Sequence, residues 1–190
     1  MALPRENNSL TYAEYSKLGE EVQYEVIDGR IYNMSPSPNV KHQSIATELL
    51  TEFNLGLRTT SCRVIAEIDV CLCGKEDTTR TNEWVKPDIA IVCDKDKVKK
   101  NRIAGAPDLI VEILSKATAK TDRMIKFNRY QKAGVKEYWI VDPAHETIDI
   151  YVLENNFYSH AGTFANNETA DVNISDGLSI NLENIFREDF

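Results

Sequence analysis

The sequence predicts an α/β fold, an α+β sandwich in which helices flank a mixed central β-sheet. Two apolar runs at residues 88–92 and 109–114 are typical of buried strands. A helical pattern at residues 119–132 separates the second run from a third, at residues 137–142. Because strands alternate with helices here, we expect a sheet that is covered on both faces. The unit of residues 109–141 predicts a right-handed parallel crossover.

The elements before these strands are justified by local signals. Residues 1–9 are expected to be a flexible N-terminus, and a short helix is predicted from Leu10 to about Leu18. Asp28-Gly29 between two apolar runs favours a tight hairpin turn. Apolar residues at helical spacing predict a long helix over about 40–57. Residues 64–72 predict a single strand, and residues 74–83 predict a polar loop.

The second half continues the pattern. Thr118 is expected to cap the helix of residues 119–132, and Gly134 is expected to close it. Residues 137–142 and 147–152 predict two strands joined by a turn at Pro143, and short strands follow. The 190 residues are expected to form one domain, residues 1–190.

Composition excludes several classes of protein. No apolar run approaches the roughly 18 residues of a membrane span, and the N-terminus lacks the pattern of a secretory signal, so we expect a cytoplasmic protein without a membrane partner. The net charge of −8 argues against a broad basic surface for nucleic acid, but not against a local one. The chain has two basic clusters, and each is either a solvated face or a local contact surface. The first cluster consists of Lys95, Lys97, Lys99, Lys100 and Arg102. The second consists of Lys116, Lys120, Arg123, Lys126, Arg129 and Lys132.

The four cysteines fall in or beside predicted strands. In a cytosolic chain they are expected to be reduced, small, buried residues. A zinc site is the competing interpretation, because Cys71 and Cys73 are two residues apart. That spacing places both on one face of a strand, without the turn that zinc-binding pairs usually form.

Two acidic residues and a lysine are the main candidates for chemistry. Asp88 and Glu112 lie in the two apolar runs, where an isolated carboxylate must be paired, protonated or bound to a metal. If the strands are adjacent, both carboxylates reach one Mg²⁺ ion, which needs only one or two protein carboxylates. Such an ion polarises a phosphate and activates water. We expect Lys126 to point toward both acids, although a surface ion pair with Asp122 explains it as well.

Glu25 and His42 are supporting candidates. Glu25 lies in a hairpin strand, and an exposed strand face explains it equally well. His42 starts the long helix on its apolar face, where a hydrogen-bonded core histidine is the competing interpretation. The sequence contains no phosphate-binding loop, no Rossmann glycine pattern and no nucleophile elbow.

The order of several short motifs resembles a known family. The resemblance is carried by Pro87-Asp88, Val111–Ser115, Asp122, Lys126 and Tyr130, then the segment Gly134–Pro143, with Tyr24–Ile31 and His42 further upstream. Together these motifs resemble the Uma-type putative restriction endonuclease family of the PD-(D/E)XK nuclease superfamily, over residues 10–185.

The resemblance implies a restriction-endonuclease-like fold and a nuclease site. Asp88 matches the motif aspartate, and Glu112 matches the acid of the (D/E)XK motif. The position of the motif lysine, two residues after Glu112, is Leu114, so Lys126 would supply the ammonium group from the next helix. We therefore expect a Mg²⁺-dependent DNA endonuclease, with Mn²⁺ as the alternative ion.

One further expectation follows from the resemblance, and two rival functions stay open. Superfamily members of the restriction type often pair their sites to cut both strands, so we expect a homodimer with DNA as the partner. The first rival is a nuclease-fold protein that has lost cleavage and serves as a binding or assembly module. The second rival is a metal-dependent hydrolase of other phosphoesters.

Overall fold

The computed structural model describes residues 10–18, 23–33, 39–73 and 81–187. Within them a short helix, a hairpin and a long helix precede a run of strands. In chain order, the elements are α1 (Tyr12–Tyr15), β1 (Tyr24–Ile27), β2 (Arg30–Asn33), α2 (Val40–Gly56), β3 (Arg63–Ala66), β4 (Val70–Cys71), β5 (Ile89–Val92), β6 (Ile103–Ala104), β7 (Leu109–Ile113), α3 (Phe127–Ala133), β8 (Glu137–Asp142), β9 (Thr147–Glu154), β10 (Phe157–Ala165), β11 (Thr169–Asp171) and β12 (Ser179–Asn181). A 3₁₀ turn occupies Lys95–Lys97, and a π-helical segment, Thr121–Lys126, runs directly into α3.

Six strands form one mixed sheet, in the order β10-β9-β8-β7-β5-β3. β7 and β8 pair in parallel, and all other neighbours pair antiparallel. The π-helical segment and α3 connect the two parallel strands, as the crossover predicted for residues 109–141 requires. The order places β5 and β7 side by side, which is the condition for Asp88 and Glu112 to approach each other.

Helices cover both faces of this sheet, so the predicted fold class is confirmed. On one face, Leu49 and Phe53 of α2 share a core cluster with Val111 of β7. On the other face, Tyr130 of α3 shares a second cluster with Ile110. Because side chains alternate along a strand, Glu112, two residues after Ile110, faces α3.

The N-terminal hairpin packs beside the sheet through aromatic side chains. Its turn has positive φ values at Asp28 (50°) and Gly29 (72°), the conformation that the Asp-Gly dipeptide predicts. Backbone hydrogen bonds of 2.8 and 3.0 Å join Val26 to Trp84 in both directions. The hairpin is therefore fastened to the segment that leads into β5. The aromatic cluster consists of Tyr12, Tyr15, Tyr24 and Trp84.

Two predicted elements are wrong in detail. Residues 64–72 form two strands, because Glu67 adopts a positive φ of 47° and the chain changes partners there. β3 pairs with β5, and β4 pairs with β6. The predicted helix of residues 119–132 contains the π-helical segment and ends, as predicted, at Gly134 with a φ of 87°. The hydroxyl of Thr118, the residue that was expected to cap this helix, forms a hydrogen bond of 3.0 Å with the hydroxyl of Ser115.

The expectation that all four cysteines are reduced is also wrong. Cys62 and Cys93 form a disulfide, and Cys71 and Cys73 are free thiols. The cause is strand register: Arg63 pairs with Val92, so the residues just outside that pair face each other.

The remaining predictions concern the termini and the membrane. The flexible terminus expected at residues 1–9, and residues 74–80 of the predicted loop, lie outside the described residues. Among the helices of the described part, none is long and apolar enough to cross a membrane.

Candidate active site

Asp88 and Glu112 lie at the same end of neighbouring strands. Ile89 pairs with Val111 across β5 and β7, and this register, continued by one residue, sets Asp88 opposite Glu112. Residues that are opposite each other in an antiparallel pair have Cβ atoms about 5 Å apart on one face. Asp88 Oδ2 also accepts a hydrogen bond of 2.7 Å from the backbone N–H of Ile113. The aspartate is thus held at the end of β7, beside Glu112.

Glu112 is a buried carboxylate that two side chains of the helical layer hold in place. Its Oε1 accepts hydrogen bonds from Lys126 Nζ at 3.0 Å and from the Tyr130 hydroxyl at 2.6 Å. Only 4% of the residue is exposed. Both donors come from the π-helical segment and α3, which explains why the sequence tolerates an acid within an apolar strand.

Lys126 is shared by three carboxylates from three elements. Its Nζ lies 2.8 Å from Glu25 Oε1, 3.0 Å from Glu112 Oε1 and 3.6 Å from Asp122 Oδ1. The predicted approach to Glu112 is therefore present, and the pair with Asp122 is buried rather than exposed. Among the described residues, Lys126 forms no hydrogen bond or ion pair with Asp88.

Glu25 reaches this cluster from the hairpin. Its Oε1 accepts the backbone N–H of Lys86 at 2.7 Å as well as the Lys126 ammonium. Lys86 lies two residues before Asp88. The Glu25 carboxylate therefore connects the hairpin both to the segment that leads into β5 and to the π-helical segment that carries Lys126. Glu25 is buried, and its alternative interpretation as part of an exposed strand face is wrong.

Burial and charge set the protonation of the cluster. Burial raises the pKa of Glu112 well above its ordinary value; Lys126 opposes the shift, and nearby carboxylates add to it. Burial likewise raises the pKa of Asp122, again opposed by Lys126. Burial alone would lower the pKa of Lys126, but Glu112, Glu25 and Asp122 outweigh it and hold that pKa well above its usual range. The ammonium therefore stays charged at neutral pH.

His42 approaches the site from the opposite helix, α2. Its Nε2 lies 3.5 Å from Asp88 Oδ2, and its Nδ1 is buried without a hydrogen-bond partner in the described part. Burial works to lower the pKa of His42, but the hydrogen bond and charge of Asp88 raise it above its ordinary value. His42 thus contacts a candidate site residue, besides lying on the inner face of α2.

The carboxylates leave oxygens for an additional ligand. Within the described residues, the hydrogen bonds to Asp88 and Glu112 go to Oδ2 and Oε1, respectively. Asp88 Oδ1 and Glu112 Oε2 accept none there. Two such oxygens on adjacent strands fit Mg²⁺, which uses one or two protein carboxylates and completes its shell with water and phosphate. No group of three or more His, Cys, Asp or Glu side chains is placed to hold a metal ion in the same described ranges.

Two residues of the cluster were not singled out as site residues by sequence reasoning. Asp122 is 2% exposed, and its Oδ1 has no hydrogen-bond partner among the described residues. Tyr130 is fully buried and donates to Glu112. Asp122, Lys126 and Tyr130 are each four residues apart, and this spacing on one helical face is the signal that could have found both.

The chain resembles proteins described as nucleases. A family model described as "Putative restriction endonuclease" matches residues 11–183. A crystal structure of a putative nuclease belonging to DUF820, from Anabaena variabilis, has a TM-score of 0.72 and 22% sequence identity, covering 93% of this chain and 97% of that chain. The structural likeness establishes a shared fold.

A relative among curated proteins is similar over part of its length. "Uncharacterized protein slr1290" of Synechocystis sp. is 30% identical over 130 residues, which are 68% of this chain. The match spans 65% of that protein.

Proposed function

Because the chain belongs to the Uma2 family, described as "Putative restriction endonuclease", we propose that it is a metal-dependent endonuclease that hydrolyses phosphodiester bonds in DNA. The observation that carries this proposal is the ammonium of Lys126 between Glu112 and Glu25, beside the strand end that bears Asp88. Two carboxylates that can hold a divalent ion, together with one positive charge, can form a site for metal-assisted phosphodiester hydrolysis.

Each residue of the site has a role in this proposal. Asp88 and Glu112 would hold Mg²⁺, for which Mn²⁺ can substitute. The ion would polarise the scissile phosphate and lower the pKa of the attacking water. Lys126 would stabilise the negative charge that develops on the phosphate oxygens. Glu25 is proposed to orient the ammonium, and His42 is proposed to orient Asp88.

Lys126 is proposed to replace the missing motif lysine. The motif position two residues after Glu112 is Leu114, which is largely buried and packs in the core cluster on the α3 face of the sheet. The side chain of Lys126 reaches Glu112 from the helical layer above that face. An ammonium group that is supplied from a helix serves the same carboxylate as one supplied from the strand.

The test is nicking of supercoiled plasmid at low salt with Mg²⁺ or Mn²⁺. We expect wild type to cut, and we expect Asp88→Asn, Glu112→Gln and Lys126→Ala to lose at least about 100-fold in rate, the scale of removing one charge-stabilising group. Lys132→Ala is the matched control, because Lys132 is exposed on α3. Full activity of the Lys126 variant at saturating metal would contradict its catalytic role.

The main rival remains a binding or assembly module that has lost cleavage. One observation favours it: the Lys126 side chain is only 6% exposed, and the contacts of its Nζ are all with carboxylates. The rival predicts duplex binding without nicking under either metal. A panel of small phosphodiesters tests the second rival, since a general phosphoesterase hydrolyses them without DNA. We further propose that the protein acts in the cytoplasm as a homodimer.

A further inference from the structure

Two groups of basic residues lie at opposite ends of the central sheet. Because β5 and β7 are antiparallel, the start of β5 and the end of β7 share one end, which carries Asp88 and Glu112. The turn that contains Lys116 and Lys120 follows β7 at this same end. The loop with Lys95, Lys99 and Lys100 follows β5 and therefore lies at the other end.

Three of the six basic residues between Lys116 and Lys132 are paired with carboxylates within the fold. Arg123 contacts Asp149 at 2.9 Å and Asp142 at 3.4 Å. Arg129 pairs with Glu83, and Lys126 is enclosed by carboxylates. The exposed members without an ion pair in the described ranges are Lys116, Lys120 and Lys132. Of these, Lys132 belongs to the last turn of α3, from which the chain runs to the start of β8, at the end of the sheet away from Glu112.

An ordered turn over residues 115–119 carries Lys116 and leads directly into Lys120. Ser115 and Thr118 hydrogen-bond to each other reciprocally through their hydroxyls and backbone N–H groups, at 3.2 and 3.3 Å. The backbone N–H of Ala119 also donates to the Ser115 carbonyl at 3.0 Å, which closes one helical turn. Lys116 is four residues from Glu112, so their Cα atoms are at most about 14 Å apart.

We propose that Lys116 and Lys120 contact backbone phosphates of duplex DNA on the flank of the scissile bond, and that the lysines of the 95–100 loop do not. The inference rests on the proposed function and adds the surface that receives the substrate. A chain with a net charge of −8 repels DNA overall, and the acids of the site add to this repulsion. Exposed, unpaired cations at the same end of the sheet as those acids are what a polyanion needs in order to approach them.

Salt dependence measures such contacts directly. Each phosphate that a lysine neutralises releases condensed counterions, so it adds about 0.9 to the slope of log binding constant against log salt concentration. A lysine that lies away from the DNA contributes nothing to this slope. The slope therefore separates a contact surface from a merely solvated one.

The experiment is duplex binding by fluorescence anisotropy without divalent metal, between about 50 and about 200 mM salt. We expect Lys116→Ala and Lys120→Ala each to weaken binding and to lower the slope by about 0.9, and the double variant by about 1.8. A triple variant of Lys95, Lys99 and Lys100 to Ala removes one more exposed charge than the double variant, and it should nevertheless keep the slope of wild type. Thermal unfolding of each variant checks that the fold is unchanged.

The outcomes separate this inference from the proposed function. Three results would each contradict the proposed DNA-contact surface. The first is a wild-type slope in both turn variants, and the second is a lower slope in the loop variant alone. The third is the absence of duplex binding by wild type. If wild type cuts plasmid and the turn variants keep their slope, the endonuclease proposal survives and the surface does not. If the slopes change as expected but wild type never cuts, the surface survives and the endonuclease proposal does not.

Discussion

Tyr130 and Lys126 both bond to the same oxygen of Glu112, and this leaves the other oxygen free in the described structure. A carboxylate fixed in this way has one defined orientation, which favours its use as a metal ligand. Tyr130 is therefore expected to be a positioning residue, one that acts through Glu112.

Tyr130→Phe is expected to weaken the affinity for Mg²⁺ by about tenfold or more, the usual effect of removing a group that orients a metal ligand. It should also lower the free energy of unfolding by about 1–3 kcal/mol, because a buried carboxylate oxygen loses a donor. The measurements are the metal dependence of plasmid nicking and chemical unfolding without metal.

Tyr138→Phe is the matched control. Tyr138 is also fully buried and its ring lies 5.1 Å from that of Tyr130, but its hydroxyl donates to the backbone carbonyl of Asp122. We expect it to affect stability and leave the metal dependence unchanged. Equal metal dependence in wild type and the Tyr130 variant would contradict the positioning role.

The role of an individual residue was predictable where the surrounding sequence makes that residue energetically unfavourable without a partner. An acid in an apolar strand, such as Glu112, needs a partner, so it stands out in the sequence. Asp122 and Tyr130 contribute to the resemblance but were not assigned to the site, because an acid and an aromatic residue on an amphipathic helix usually lie at the surface and in the core, respectively. Their roles arise only because the π-helical segment and α3 pack directly over Glu112.

At the level of elements, Asp108 fastens the start of β7 to the end of β5. Its Oδ2 accepts the backbone N–H of Cys93 at 2.7 Å, and its Oδ1 lies 2.7 Å from Lys136 Nζ. Burial alone would raise the pKa of Asp108, but the hydrogen bonds from Lys136 and Cys93 outweigh it and hold that pKa below its ordinary value. The ionised form is thus the one that stabilises the fold.

This shift predicts the sign of a pH effect. The stabilisation is fully present above the unfolded pKa of about 3.9 and is lost as pH falls through the lower folded pKa. The difference in free energy of unfolding between wild type and Asp108→Asn should therefore shrink below about pH 4. Denaturant unfolding across this range measures it, and a difference that stays constant or grows on acidification would contradict the prediction.

The disulfide, which joins residues that flank β3 and β5, leads to a second prediction at the scale of elements. Cys62 and Cys93 are 31 residues apart, so reduction releases a loop and should lower the free energy of unfolding by about 2–4 kcal/mol. Alkylation of unfolded protein should label only Cys71 and Cys73 before reduction and all four cysteines after it. The double variant Cys62→Ser/Cys93→Ser is the control, since its stability should not respond to reductant.

Element boundaries were predictable where turn chemistry was local. Asp28-Gly29 and Gly134 are examples, because their positive φ values follow from residue type. The break at Glu67 was not predictable, since the alternating pattern continues through it and only the change from β5 to β6 as a partner interrupts the strand. The disulfide was not predictable for the same reason, because it depends on the register between β3 and β5, which the sequence of neither strand reveals by itself.

For the whole molecule, the fold class was predictable because the order of apolar runs and helical patterns leaves few ways to cover a sheet. The oligomeric state was not predictable in this way, because the residues that would form an interface between subunits have no periodic pattern in the sequence. The homodimer accordingly remains a prediction from resemblance. The proposed endonuclease function gives the dimer a mechanistic reason, since a protomer with one active site would cut one strand at a time.

A two-fold dimer would present two such sites to the two strands of a duplex. We expect light scattering to give twice the mass of one chain, and we expect linear plasmid among the early products. Mixing wild type with an excess of the Glu112→Gln chain should form mixed dimers with one active site, so linear product should fall more steeply than nicked product. A single-chain mass at high concentration would remove the dimer, and an unchanged ratio of linear to nicked product would show that the sites act separately.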